Sequence, residues 1–88
     1  MANYLYIEAS TVVKPAAGKI KGIFVSTASS TPTITIYDSF EVSGPADTVI
    51  NTFTPAAAGN YNFFDGIYVN KGIRVEIGGT VKCTIIYE

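Results

Sequence analysis

The stretch Ile73-Arg74-Val75-Glu76-Ile77-Gly78-Gly79-Thr80-Val81-Lys82-Cys83-Thr84-Ile85 decides the fold class. Apolar residues at 73, 75 and 77 alternate with Arg74 and Glu76, the period of two that a half-buried strand requires. Val81, Cys83 and Ile85 repeat the pattern against Lys82 and Thr84. The break at Gly78-Gly79-Thr80 predicts a hairpin, and the alternation selects its register. A two-residue loop would set Lys82 opposite Val75, on the core face. A three-residue loop sets Ile77 opposite Val81, Val75 opposite Cys83 and Ile73 opposite Ile85, with Glu76 facing Lys82 outside. Slipping by one residue inverts every side chain, so the second register is expected. Glycine supplies the positive φ of such a loop.

The same texture runs through the whole chain. Gly and Pro recur at short intervals between β-branched segments, and no window holds a 3.6-residue period. The segments 5–8, 11–14, 19–26, 33–37, 48–53, 61–64, 67–69, 73–77 and 81–87 read as strands. Loops fall at 15–18, 27–32, 43–46, 55–59 and 78–80. The helix-tolerant Ala56-Ala57-Ala58 is too short and is bounded by Pro55 and Gly59. The expected architecture is a single all-β domain over residues 1–88. It is a small antiparallel β-sandwich, jelly-roll-like, with about eight short strands.

Eighty-eight residues leave no room for a second core, and a chain this short buries only about 60–65% of its unfolded surface. Hydrophobic residues make up 48% and charged residues 15%, a low charge for a small domain standing alone. That apolar excess favours a chain that covers part of its outer surface with partners or copies of itself. The formal charge of −1 comes from residues scattered singly, so the clustered Lys and Arg of a phosphate-binding surface are missing. The loose trio Lys14, Lys19 and Lys21 reads as a solvated strand edge. No nucleic-acid partner is expected. No run approaches the roughly 20 apolar residues of a membrane helix, and Met1-Ala2-Asn3-Tyr4 does not open a signal peptide. The expectation is synthesis in the cytoplasm, with no membrane partner.

Chemistry has few carriers here. There is no histidine and no tryptophan, and Cys83 is the one cysteine, which reads as a small buried thiol. With one residue in the Cys/His inventory, no metal and no cofactor is expected. Asp38 ends the strand 33–37 and suits a turn in which its carboxylate accepts backbone N–H groups two residues on. Asp38, Glu41 and Asp47 stand near one another around the longest loop, 39–47, and would supply oxygen ligands for calcium. Turn capping and solubility outweigh that reading. No catalytic residue is assigned, and an enzyme is not expected.

The aromatic span is the richest surface candidate. Tyr61, Phe63, Phe64 and Tyr68 lie among Asn60, Asn62, Asp65 and Asn70. Tyr61, Phe63, Tyr68 and Asn70 are therefore the candidate interface or ligand surface. Flat rings beside amides suit a sugar. The competing reading places Phe63 or Phe64 at the edge of the core and Tyr61 and Tyr68 in a protein interface with wet hydroxyls. It outweighs the glycan platform.

Three pieces, in order, carry a resemblance. They are Val13-Lys14-Pro15-Ala16-Ala17-Gly18-Lys19-Ile20-Lys21-Gly22-Ile23-Phe24-Val25, then Thr33-Ile34-Thr35-Ile36-Tyr37-Asp38-Ser39. The last is Tyr68-Val69-Asn70-Lys71-Gly72-Ile73-Arg74-Val75-Glu76-Ile77-Gly78-Gly79-Thr80, closing with Thr84-Ile85-Ile86-Tyr87-Glu88. The pattern resembles a group of small tailed-bacteriophage virion accessory proteins of about this length. The resemblance spans most of the chain and rests on structural glycines and strand alternation. It implies a capsid decoration (cement) protein or a head-fibre base: a jelly-roll-like sandwich, often trimeric, located on the virion. Its implied partners are itself and a virion protein such as the major capsid protein. A tail- or fibre-associated carbohydrate- or receptor-binding module is the alternative.

Overall fold

A computed structural model describes residues 3–55 and 59–88, and of residues 29–31 the backbone alone. The described chain is all-β and antiparallel, as the alternation predicts, with no helix among the described residues. Its strands are β1 (Asn3–Ile7), β2 (Thr11–Lys14), β3 (Gly18–Asp38), β4 (Asp47–Phe53), β5 (Gly59–Val69) and β6 (Ile73–Tyr87). The predicted segments 19–26 and 33–37 are two ends of β3, with the expected loop 27–32 inside it. Likewise 61–64 and 67–69 join in β5, and 73–77 and 81–87 in β6. The strands are therefore fewer and longer than expected. The alanine run 56–58 lies outside the described residues.

β3 and β6 pair along almost their whole lengths, from Ile20 opposite Tyr87 to Asp38 opposite Ile73. The hairpin predicted at 78–80 is not formed. Val75 faces Ile36, Cys83 faces Val25, and Glu76 lies opposite Thr35 rather than Lys82. Alternation dictates which face a residue takes, but the same faces are satisfied whichever apolar strand lies alongside. Gly79 does adopt a positive φ of 80°, at a corner of the ribbon. A Cβ there would sit 3.1 Å from the Cα of Pro32 on β3. At this corner Ser29 faces Thr80 and Thr33 faces Gly78, so β3 carries extra residues. Bulges of this kind bend a strand and increase its twist.

The bent ribbon is flanked by the other strands, one along each half of each edge. Beside the 81–87 half of β6 lies β1, and beside the 18–25 half of β3 lies β5. Together they form a first sheet, β1-β6-β3-β5. Beside the other halves lie β2 and β4, forming a second sheet, β2-β6-β3-β4. Both sheets thus share their central strands. Ile23, Val25, Cys83 and Ile85 from the first join Ile34, Ile36, Ile73 and Val75 from the second in one buried cluster. The molecule measures 32 × 29 × 18 Å, the short axis fitting two sheets about 10 Å apart.

Candidate functional site

The outer faces of the two sheets are treated differently, and this contrast locates the site. On the second sheet the segment 39–46 folds back as a roof. Arg74, expected in solvent, points outward from β6 yet is only 3% exposed because the roof covers it. Its guanidinium donates from Nη1 to the Glu41 carbonyl at 3.3 Å and from Nη2 to the Gly44 carbonyl at 2.9 Å. Nη2 also meets Glu76 Oε2 at 3.1 Å, and the guanidinium carbon lies 4.6 Å from the centre of the Tyr37 ring. Arginine is suited to this because its planar fork reaches two carbonyls while its face stacks on a ring.

Asp38 fastens the base of the same roof. Its Oδ1 accepts from Lys71 N at 2.8 Å and Gly72 N at 3.3 Å, and its Oδ2 from Asn70 N at 3.1 Å. The expected local turn is made instead by Ser39, whose hydroxyl accepts from Glu41 N at 3.0 Å. Asp38 caps a distant turn because the β3–β6 register sets it opposite Ile73. Burial works to raise its pKa, but the three backbone N–H groups and the nearby Lys71 charge prevail and hold it below the usual carboxylate value. A depressed folded pKa contributes stability above the unfolded value, lost as pH falls through the folded one. Asp38→Ala is therefore expected to cost about 2 kcal/mol at neutral pH, a difference that shrinks below about pH 4. Urea melts of both proteins across that range measure it. With Asp38 so engaged, the calcium reading of Asp38, Glu41 and Asp47 finds no assembled site. Among the described residues no three His, Cys, Asp or Glu side chains gather. Cys83 is buried, as expected, and burial pushes its thiol up to about 11, so it stays protonated at neutral pH.

The four aromatic-span candidates do not share one surface. Tyr61 and Phe63 are half-buried against the core, and the Tyr61 ring meets Phe53 edge-on at 5.3 Å. With Ile50 and Phe53 they line an apolar pocket of about 160 Å³ at the core's margin. Tyr68 stands on the opposite side of β5, 61% exposed. Asn70 lies in the turn after it, exposed, with its backbone held by Asp38. Phe64, not Phe63, is the solvent-facing ring, at 83% exposure. Between Asn62 (opposite Gly22) and Ile67 (opposite Ile20) β5 bulges outward. Phe64 sits there at φ 55°, its N–H held by Asn62 Oδ1 at 2.7 Å.

A left-handed backbone costs an L-residue roughly 1–2 kcal/mol, and an exposed ring recovers little of that by burial. Phe64→Gly is therefore expected to raise the melting temperature of the dilute protein by a few degrees, read by circular dichroism. A fall would mean the ring packs in the free molecule. Backbone strain of this kind clusters at functional surfaces, which makes Phe64 a candidate contact ring.

Among the described residues no segment covers the first sheet's outer face. The register lines up one row, Asn60-Phe24-Thr84-Tyr6, and beneath it a second, Asn62-Gly22-Ile86-Tyr4. Neither row contains a charge. Tyr4 and Tyr6 are exposed at 75% and 48%, and Phe24 at 44%. Over Gly22 opens a pocket of about 240 Å³ walled by Asn60, Tyr61, Asn62, Phe64 and Ile86, with Lys21 at its mouth. Sequence reading missed this face because its aromatics come from β1, β3 and β5, far apart along the chain. Only the pairing of those strands with β6 brings them together.

Comparison with protein-family models, with curated proteins and with solved structures finds no match for this chain.

Proposed function

We propose that the chain is a virion accessory protein of a tailed bacteriophage, a decoration or cement protein acting through contact with its own copies and with the capsid. The observation that carries the reading is the unroofed, uncharged two-row aromatic face of the first sheet. An exposed apolar patch of a few hundred Å² is often a functional surface. The resemblance of the three sequence pieces supplies the setting, and the small two-sheet body suits a tile. Many copies bound side by side on a repeating lattice gain avidity from each modest contact. Empty heads assembled from a tailed-phage major capsid protein provide the test. Purified protein should co-sediment with them to a fixed ratio, and heads carrying it should resist heating better than bare heads. Protein left in the supernatant at every ratio would contradict the reading.

The pocket over Gly22 favours one alternative, a carbohydrate- or receptor-binding module of a tail or fibre. Two amides, Asn60 and Asn62, stand there beside the exposed Phe64 ring. Glycan-array binding abolished by Asn62→Ala, with no affinity for heads, would establish that module instead.

A further inference from the structure

We infer that the outer face of the first sheet is a self-complementary interface, by which two copies pair face to face about a two-fold axis. The inference deepens the proposed function, resting on its premise that copies of this chain associate. The axis would run across the strands, above the row Tyr61-Ile23-Ile85-Leu5, whose side chains all turn inward.

Three observations carry it. The first is the order of charges along β6. Lys82, Thr84, Ile86 and Glu88 point outward between the buried Val81, Cys83 and Ile85. Rotation about an axis over Ile85 sends each end of this column onto the other end in the second copy. Lys82 of one copy then comes opposite Glu88 of the other, twice, joining the Lys21 of that copy, which already lies 3.6 Å from the Glu88 carboxylate, while Thr84 meets Ile86. A column with opposite charges at equal distances from a neutral centre is the pattern an isologous contact requires.

Shape is the second. The same rotation exchanges the two rows, setting Phe24 over the second copy's Gly22. Phe24 is the protruding ring in the middle of one row, and Gly22 is the gap in the other, floored by backbone and opening a pocket of about 240 Å³. Glycine is required there for a separate reason, since a Cβ would come within 2.9 Å of the Tyr61 carbonyl. Tyr6 falls over Tyr4 and Asn60 over Asn62, so like groups meet like across the face.

The third is area. At about 200 Å² per aromatic residue, the exposed fractions of Tyr4, Tyr6, Phe24 and Phe64 amount to roughly 500 Å². A standard interface buries about 800 Å² per partner, of which about 65% is apolar in homodimers. The four rings therefore supply the apolar share of a stable pair. The resulting two-fold stack departs from the trimer that the family resemblance implies.

Sedimentation equilibrium over a concentration series tests this, with circular dichroism checking that each variant folds. Wild type should be a monomer–dimer system. Phe24→Asp should weaken dimerisation at least about tenfold, because it puts a charge at the centre of the buried face. Lys82→Glu alone should weaken it by setting Glu against Glu88, and adding Glu88→Lys should restore it. The rescue separates pairing from a folding defect. A wild-type trimer, a wild-type monomer at the highest soluble concentration, an unaffected Phe24→Asp dimer, or no rescue by the double swap would each overturn the inference. A chain that fails any of these yet still co-sediments with heads would discard two-fold pairing through this face and leave its contact with the capsid, and so the proposed function, standing.

Discussion

Arg74→Ala should lower the melting temperature by roughly 10–20 °C, corresponding to about 2–3 kcal/mol in a domain of this size. The side chain loses its two bonds to the Glu41 and Gly44 carbonyls and its stacking on Tyr37. The roof residues Glu41 and Gly44 are themselves exposed, so their carbonyls turn to water and the roof loses what holds it to β6. The Glu76 contact contributes little to this sum, because Glu76 is partly solvated and exposed ion pairs are worth about 0–1 kcal/mol. Glu76→Ala is the control, with an expected change of a few degrees. Equal effects from both substitutions, measured by thermal melts at one pH, would show that Arg74 serves only as an ion-pair partner. A further consequence is local: limited proteolysis of Arg74→Ala should begin within 39–46, which in wild type is held by Ser39, Arg74 and the Gly72 carbonyl.

Ile85→Ala carries the second large effect, about 2–5 kcal/mol. Ile85 is fully buried, opposite Ile23 on β3 and Leu5 on β1, where the first sheet's inner face is most enclosed. Its neighbour Ile86 has the same chemistry but faces outward between Gly22 and Tyr4. Ile86→Ala should cost the dilute monomer clearly less than Ile85→Ala, since Ile86 is only half-buried and its side chain stays partly in water in the folded chain. Denaturant melts of the two variants read the strand register directly. Comparable losses would mean that β6 does not present alternate residues to the core.

That contrast also marks how far the sequence could be read. Alternation at 73–77 and 81–85 correctly places Val75, Cys83 and Ile85 inside, because burial of every second residue is a local property. Pairing is not local. Val75 opposite Ile36 and Val75 opposite Cys83 bury the same atoms, so the ribbon and the hairpin were indistinguishable until the long partner β3 was laid beside β6. Gly78-Gly79 announced a change of direction, and the direction depended on Pro32 and the extra residues of β3 at the same corner. Arg74 misled for a related reason: its position on the outer face was legible, but the roof over it comes from residues 39–46. The site divides likewise. Tyr68 is exposed as an aromatic-rich span suggests, but the exposed phenylalanine is Phe64 and not the expected Phe63, and Tyr4, Tyr6 and Phe24 gain meaning only from rows that cross four strands.

The central claim is that the unroofed aromatic face is where this molecule meets protein. Hydroxyl-radical footprinting of the dilute free chain and of the chain sedimented on heads tests it most directly, since oxidation of Tyr and Phe tracks their exposure. The account predicts strong oxidation of Tyr4, Tyr6, Phe24 and Phe64 in the free chain and protection of all four in the assembled one, with Tyr37, beneath Arg74 on the second sheet, unchanged. Assembly that leaves those four rings as reactive as before would contradict it.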